Sequence, residues 1–370
     1  MRLSLRLVLL SGLLLLIGCS DPEPIKIGFI GGTSGRVADL GIAGRNGFLL
    51  AVEQQNKRGG IDGHPIEVIL KDDQQNPEVA KKGISELLNA NVDAVIGPMT
   101  SAMAMATVDQ MNKAETVMMA CTVTTDKLTA LDDYFLRPLS AINSHSAKAA
   151  KLLTNKHPEV SQLTIVIDLG NEAYTRDWAN GFNSEFTKNA SKKVISETFA
   201  SSNDTDFSSL ADSIIGTSPE AVVLVMNSVD AALLNKQLKQ IKPNLVMLAA
   251  EWAGTERLIE LGGSYVEGLY VAQYINRESE TPRFIKFKNE YLQRFQQEPG
   301  FPAMYCYNSA TMVMAALKQR KSGHSLKQSL LALNNFQGVQ GVVAMDRFGD
   351  TQSITYMTQI KNGQFVVMGE

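Results

Sequence analysis

Histidine is scarce in this chain of 370 residues: His64, His145, His157 and His324 are the only four, and they are scattered. Cysteine is scarcer, with Cys19, Cys121 and Cys306 alone. There is no C-x-x-C pair and no H-E-x-x-H stretch, so nothing in the sequence supports a metal site. The phosphate-cradling G-x-x-x-x-G-K motif, the G-x-S-x-G elbow and S-x-x-K are also missing. A glycine turn, Gly28 to Gly35, follows the first apolar run, but Ile30 stands where a dinucleotide fingerprint ending at Gly32 and Gly35 needs glycine. These absences argue against an enzyme and against a bound cofactor. No basic block exists either. Lys and Arg number 35 against 38 Asp and Glu, which gives no reason to expect nucleic acid as a partner. No stretch rich in Pro, Gly or Ser divides the chain, so its halves are joined by several chain crossings and not by one flexible tether.

A composition of 44% hydrophobic and 20% charged residues excludes disorder. The length suits two domains. The N-terminus carries Arg2 and Arg6, then an apolar run from Leu7 to Ile17. As a helix that run rises about 16 Å, roughly half a bilayer core, which fits a signal peptide better than a membrane span. Leu16-Ile17-Gly18-Cys19 resembles a bacterial lipobox, in which the cysteine is acylated and becomes the first mature residue. The plainer alternative is an ordinary signal peptide with a chance cysteine. Ser20, not Asp, follows Cys19, which by the habit of such lipoproteins favours the outer membrane. Residues 1–18 are thus read as signal peptide and 19–24 as a lipidated tether. Loss of Arg2 and Arg6 moves the formal charge from −3 to −5. The remaining Cys121 and Cys306 are 185 positions apart. The sequence leaves their pairing open, with two buried free thiols as the simpler reading.

Beyond the tether, apolar runs alternate with helical patterns. Ile25 to Ile30, Pro65 to Lys71, Val92 to Ile96 and Thr116 to Ala120 read as strands. Helices lie between them, one with Pro77 in its first turn. The pattern restarts with strands at Leu163 to Ile167, Lys193 to Phe199, Ala221 to Met226 and Leu245 to Ala249. Such alternation implies parallel sheets wrapped by helices. Two helices follow from Pro282 and Pro302, and the chain closes with short alternating strands. Asp72-Asp73 reads as a solvated strand end.

Phe29 to Gly35, the helix Ala43 to Asn56, and Gly59-Gly60-Ile61-Asp62-Gly63-His64-Pro65-Ile66-Glu67-Val68 with Asp72-Asp73 resemble one family. It is the type I periplasmic binding proteins of the branched-chain amino acid (leucine/isoleucine/valine) class, which serve ABC importers. The resemblance runs from about Ile25 to Gly363. It implies an α/β fold of two Rossmann-like, doubly wound lobes joined by three crossings. The implied lobes are 25–140 with 275–333, and 141–274 with 334–370.

Ligands in such sheets bind beyond the carboxyl ends of the strands. Four loops stand there. In the first, Ser101 is expected as a helix N-cap whose hydroxyl, with the free N–H groups behind it, receives a carboxylate. In the second, the resemblance implies that the Thr122 carbonyl accepts from a ligand amine and the Thr124 hydroxyl completes the carboxylate site. In the third, Tyr174 matches a tyrosine that closes over the ligand. In the fourth, Glu251 matches the acidic residue that pairs with the ligand ammonium; Trp252 has no counterpart there and either lies over the pocket or simply packs. Leu40 stands where an aromatic residue is usual. Asn227 replaces a tyrosine of the branched-chain binders and adds polar capacity, so the pocket is not that of a leucine binder. The implied function is capture of a small carboxylate-bearing ligand, an amino acid first, by a monomeric lipoprotein that delivers it to an ABC permease. Ser20 supports an alternative, a ligand-sensing or cell-wall-regulatory lipoprotein of the same fold.

Overall fold

The computed structural model describes residues 22–369, so the signal-peptide and Cys19 readings lie outside the described residues. Strand β1 (Ile25–Gly31) pairs in parallel with β2 (Ile66–Asp72) on one side and β3 (Ala94–Ile96) on the other. Helices cover both faces of such a strand, which is why Ile27 to Gly31 is an unbroken buried run. Between these strands run α1 (Ala38–Lys57) and α2 (Pro77–Asn89). Pro77 opens α2, and the Asn76 side chain caps it by accepting from the N–H groups of Glu78 and Val79 at 2.9 and 3.3 Å. Helix α3 (Ser101–Lys113), β4 (Val117–Met119) and β5 (Phe135–Leu136) complete a sheet of order β2-β1-β3-β4-β5.

The chain then passes to a second sheet. Helix α4 (Asn143–Lys156) leads to β6 (Gln162–Asp168), α5 (Glu172–Phe186) and β7 (Lys193–Phe199). Next come α6 (Phe207–Gly216), β8 (Ala221–Val225), α7 (Ser228–Ile241), β9 (Val246–Ala249), α8 (Glu256–Gly262) and β10 (Tyr270–Gln273). In this sheet β6 lies between β7 and β8, as β1 lies between β2 and β3. Each sheet therefore reverses its strand order beside its first strand, and crevices for ligands open at such points. Helices α9 (Pro282–Phe295) and α10 (Phe301–Gln319) return to the first lobe and pack on α1. The short α11 (Leu326–Leu331) and a two-stranded ribbon, β11 (Phe336–Gln337) with β12 (Val342–Val343), follow. Antiparallel strands β13 (Tyr356–Lys361) and β14 (Gln364–Val367) finish the second sheet beside β10. The chain crosses between the lobes at 137–142, 274–281 and 332–355, giving the three crossings expected. No helix among the described residues is long and apolar enough to cross a membrane.

Two expectations are corrected. Cys121 and Cys306 form a disulfide, with Cα atoms 4.9 Å apart, so they are not free thiols. Cys121 ends the turn after β4 and Cys306 lies in α10; only the return of α10 to the first lobe brings them together. Asp73 is not solvated but 1% exposed. Its N–H donates to the Gly31 carbonyl, and its Oδ1 accepts from the Gln75 N–H at 2.9 Å, which folds the carboxylate under the Gly31-Gly32 turn. Burial pushes its pKa up to about 6.

Candidate functional site

The loops at the carboxyl ends of β3, β4, β6 and β9 converge between the lobes. The β3 loop starts at Gly97, whose φ of 103° and whose approach to the Ile30 carbonyl leave no room for a Cβ. A tight exit there aims the start of α3 at the cleft. The N-cap of α3 is Thr100, one residue before the cap expected at Ser101. The Thr100 hydroxyl donates to Gln75 Oε1 at 3.0 Å instead of capping. Ser101 is the first helical residue, and its Oγ lies 3.4 and 3.3 Å from the N–H groups of Thr124 and Thr125. The Ser101 hydroxyl thus holds the β4 loop against α3. The Thr122 hydroxyl donates to the Met99 carbonyl and ties the same two loops.

Between these loops and the second lobe lies a narrow cavity. Leu40, Met99, Ser101 and Thr122 line it from the first lobe, and Asn171, Tyr174 and Trp252 from the second. Tyr274 and Phe301 close its hinge side and meet edge to face at 5.6 Å. Trp252, whose role was open between covering the pocket and packing, does both: it lines the cavity and meets Tyr174 edge to face at 5.9 Å.

Glu251 is completely buried, one layer behind Tyr174 and Trp252. Its Oε2 accepts from Trp178 Nε1 at 2.7 Å and from the Tyr174 hydroxyl at 3.3 Å. The Tyr174 oxygen in turn accepts from the Trp252 N–H at 3.4 Å. Oε1 of Glu251 has no partner among the described residues. Burial raises the Glu251 pKa to about 7, against the opposing effect of the hydrogen bonds it accepts. The same burial, with the Glu251 charge nearby, raises the phenols of Tyr174 and Tyr274. The hydroxyls of Tyr274 and Thr124 face one another without closing a well-formed hydrogen bond, and both are buried and unpartnered. Three buried polar atoms without a well-formed partner among the described residues therefore lie near one another: Tyr274 Oη on the cavity wall, and Thr124 Oγ1 and Glu251 Oε1 behind it. Buried polar groups without partners are rare and costly, and in a cleft they mark a place for a ligand.

Of the residues singled out in the sequence, Ser101, Thr122, Thr124, Tyr174 and Glu251 come together here. Asn227 does not. It caps α7, accepting from the Asp230 N–H at 3.0 Å and donating to Asp230 Oδ2 at 2.8 Å. Its amide is spent there and adds no polar capacity to the cavity. Asp230 also takes the Arg36 guanidinium across the cleft. Asp39 beside it accepts from the hydroxyls of Ser228 and Thr255, so this rim joins the lobes. Sequence reasoning missed Asn171, Trp178, Tyr274 and Phe301. A signal existed for Trp178, which stands one helical turn after Tyr174 and so shares its face. Tyr274 and Phe301 carried none, because only the second crossing places them at the cavity.

A family model for periplasmic binding proteins matches residues 24–364. A leucine-, isoleucine-, valine-, threonine- and alanine-binding protein of Pseudomonas aeruginosa is 22% identical over 341 residues, covering 90% of this chain and 89% of its own. Among solved structures, a leucine binding protein from Thermotoga maritima superimposes with a TM-score of 0.85 at 21% identity, covering 93% of this chain and 98% of that one. A solute binding protein of an ABC transporter from R. palustris in complex with benzoate gives 0.84 at 18% identity, over 94% and 96% of the two chains. With its paired doubly wound sheets and the cleft between them, the chain belongs to the periplasmic binding protein family and has its type I, two-lobed fold.

Proposed function

We propose that this protein captures an α-amino acid between its lobes and delivers it to an ABC permease, held at the membrane by an acylated Cys19. The observation that carries this reading is the cluster of orphaned atoms, Glu251 Oε1, Tyr274 Oη and Thr124 Oγ1. All three are acceptors, and an ammonium group carries three N–H donors for them. A cation beside Glu251 also favours its charged form. The start of α3, whose Ser101 Oγ meets the Thr124 N–H, offers backbone N–H and helix dipole to a carboxylate. One small molecule bearing both groups satisfies both sets of partners.

Calorimetry on the full chain with L-isoleucine, L-alanine, benzoate and butylamine tests this. Binding of the amino acids, with neither benzoate nor butylamine matching them, supports the reading. Benzoate binding more tightly than either amino acid overturns the ammonium role of the Glu251 cluster. Ser20 keeps a second reading in view, a signalling lipoprotein of the outer membrane; membrane fractionation that finds the protein with the inner membrane removes its motivation.

A further inference from the structure

Asn171 is the N-cap of α5, yet its side chain makes no capping bond. An asparagine at that position ordinarily turns its oxygen back onto an N–H of its own first turn, here Ala173 or Tyr174. Instead Oδ1 of Asn171 reaches across the cleft and accepts from the Ala102 N–H of α3 at 2.9 Å. The residue is 3% exposed and lies on the cavity wall. Ala102 is the second residue of α3, so its N–H is one of the free donors at the positive end of a helix of 13 residues. A carboxamide oxygen there is a neutral copy of one carboxylate oxygen. The cavity is lined on this side by Ser101 and Thr122, whose hydroxyls are already engaged with Thr124, Thr125 and the Met99 carbonyl. The Ala102 N–H is a donor for which an incoming acceptor competes, beside the Ser101 hydroxyl, whose oxygen accepts from Thr124 and Thr125 while its hydrogen is able to donate.

We propose that Asn171 is an internal stand-in for the ligand carboxylate that every ligand must displace, so that it sets the affinity a ligand needs to bind. The inference rests on the amino acid reading above and deepens it. In the absence of ligand the Asn171 bond draws the lobes together. A carboxylate displaces it, because a charge-assisted hydrogen bond is roughly twice as strong as a neutral one. A ligand with a neutral amide in place of the carboxylate gains nothing over Asn171 and is rejected. Once displaced, the Asn171 side chain is free to cap α5. That cap tightens the turn bearing Tyr174, whose hydroxyl holds Glu251.

The test uses the full chain with Asn171→Ala and Asn171→Ser. Serine still caps a helix but is too short to cross the cleft, so it guards against a variant that fails only for want of a cap. Calorimetry with L-isoleucine and L-isoleucinamide reads the affinity for each, and small-angle scattering reads the ligand-free radius. Both variants are expected to bind acid and amide alike about tenfold tighter than wild type does, the worth of one neutral hydrogen bond, and to be more open without ligand. Unchanged affinity for both probes overturns the proposal. So does a tenfold loss of isoleucine affinity, which marks Asn171 as a ligand contact. If neither probe binds wild type, the amino acid reading fails. The scattering then decides separately: an unchanged radius overturns the role of Asn171, and a larger one retains it as the contact that closes the ligand-free cleft.

Discussion

A carboxylate sealed behind two aromatic rings with one oxygen unpaired is costly to the ligand-free protein. Glu251 accepts that cost, with a pKa pushed from the ordinary 4.5 up to about 7. Between those values the folded chain holds a proton that the unfolded chain releases, so this residue lowers stability as pH rises through the window. Glu251→Gln is therefore expected to stabilise the ligand-free protein by on the order of 3 kcal/mol at pH 8 and not at all at pH 4. Urea unfolding at the two pH values checks it. The same substitution is expected to weaken amino acid binding by about 2–5 kcal/mol, because the ligand ammonium loses its counter-charge. A variant that unfolds like wild type at both pH values contradicts the burial argument, and one that binds like wild type contradicts the pairing.

At the scale of elements, the site depends on how closely α1 and α10 approach. Gly47 of α1 lies so near the Ala303 carbonyl that a Cβ would stand 2.0 Å from it. The neighbour is backbone and cannot swing aside. Gly47→Ala is expected to cost about 1–3 kcal/mol in urea unfolding, from overpacking. Gly216→Ala, at the end of α6 with open space around it, is the control. It is expected to be neutral or to stabilise by about 0.4–1 kcal/mol, through the unfolded chain. The disulfide pins α10 to the first sheet, since Cys306 sits on α10 and Cys121 opens the loop holding Thr122 and Thr124. Replacing both cysteines with serine is expected to cost about 2–5 kcal/mol and to loosen that loop, read as lowered amide protection at residues 121–125.

At the scale of the whole molecule, one buried histidine gathers the three crossings. His145 Nε2 meets the Ser140 hydroxyl of the first crossing at 2.6 Å, and Nδ1 meets the Thr355 hydroxyl of the third. Its ring meets Tyr274 of the second edge to face at 5.1 Å. Ser140 also reaches Ser353 at 2.7 Å. Burial keeps the imidazole neutral and lowers its pKa from 6.5 to about 4, with Lys148 adding to the effect. Below 6.5 the unfolded chain takes up a proton that the folded chain refuses. Stability from this residue is complete above 6.5 and is lost as pH falls through 4. Acidification from pH 7 to 4 is expected to remove on the order of 3 kcal/mol from wild type relative to His145→Gln. Taking the difference isolates the histidine, because Asp73, Asp168 and Glu251, whose pKa values are raised, act in the opposite direction. A difference that does not change with pH contradicts the assignment.

The sequence by itself determined the parallel sheets, the restart of the pattern near the middle and the loops that face the cleft. Those follow from local periodicity, as in the buried run Ile27 to Gly31 and the Asn76-Pro77 helix start, which depend on neighbours a few residues away. The nearness of Ser101, Thr122, Thr124, Tyr174 and Glu251 to one another was legible because they lie in loops after strand ends or in the first turns of the helices that follow. Long-range pairings were not legible. The Cys121–Cys306 bridge, the burial of Asp73, the engagement of Asn227 with Asp230, and the reach of Asn171 to Ala102 each join segments whose meeting only packing decides. The same holds for Tyr274 and Phe301, brought to the cavity by the second crossing. A hydrogen bond or disulfide depends on distances of a few ångströms, and no local pattern of side chains specifies those until the lobes have assembled.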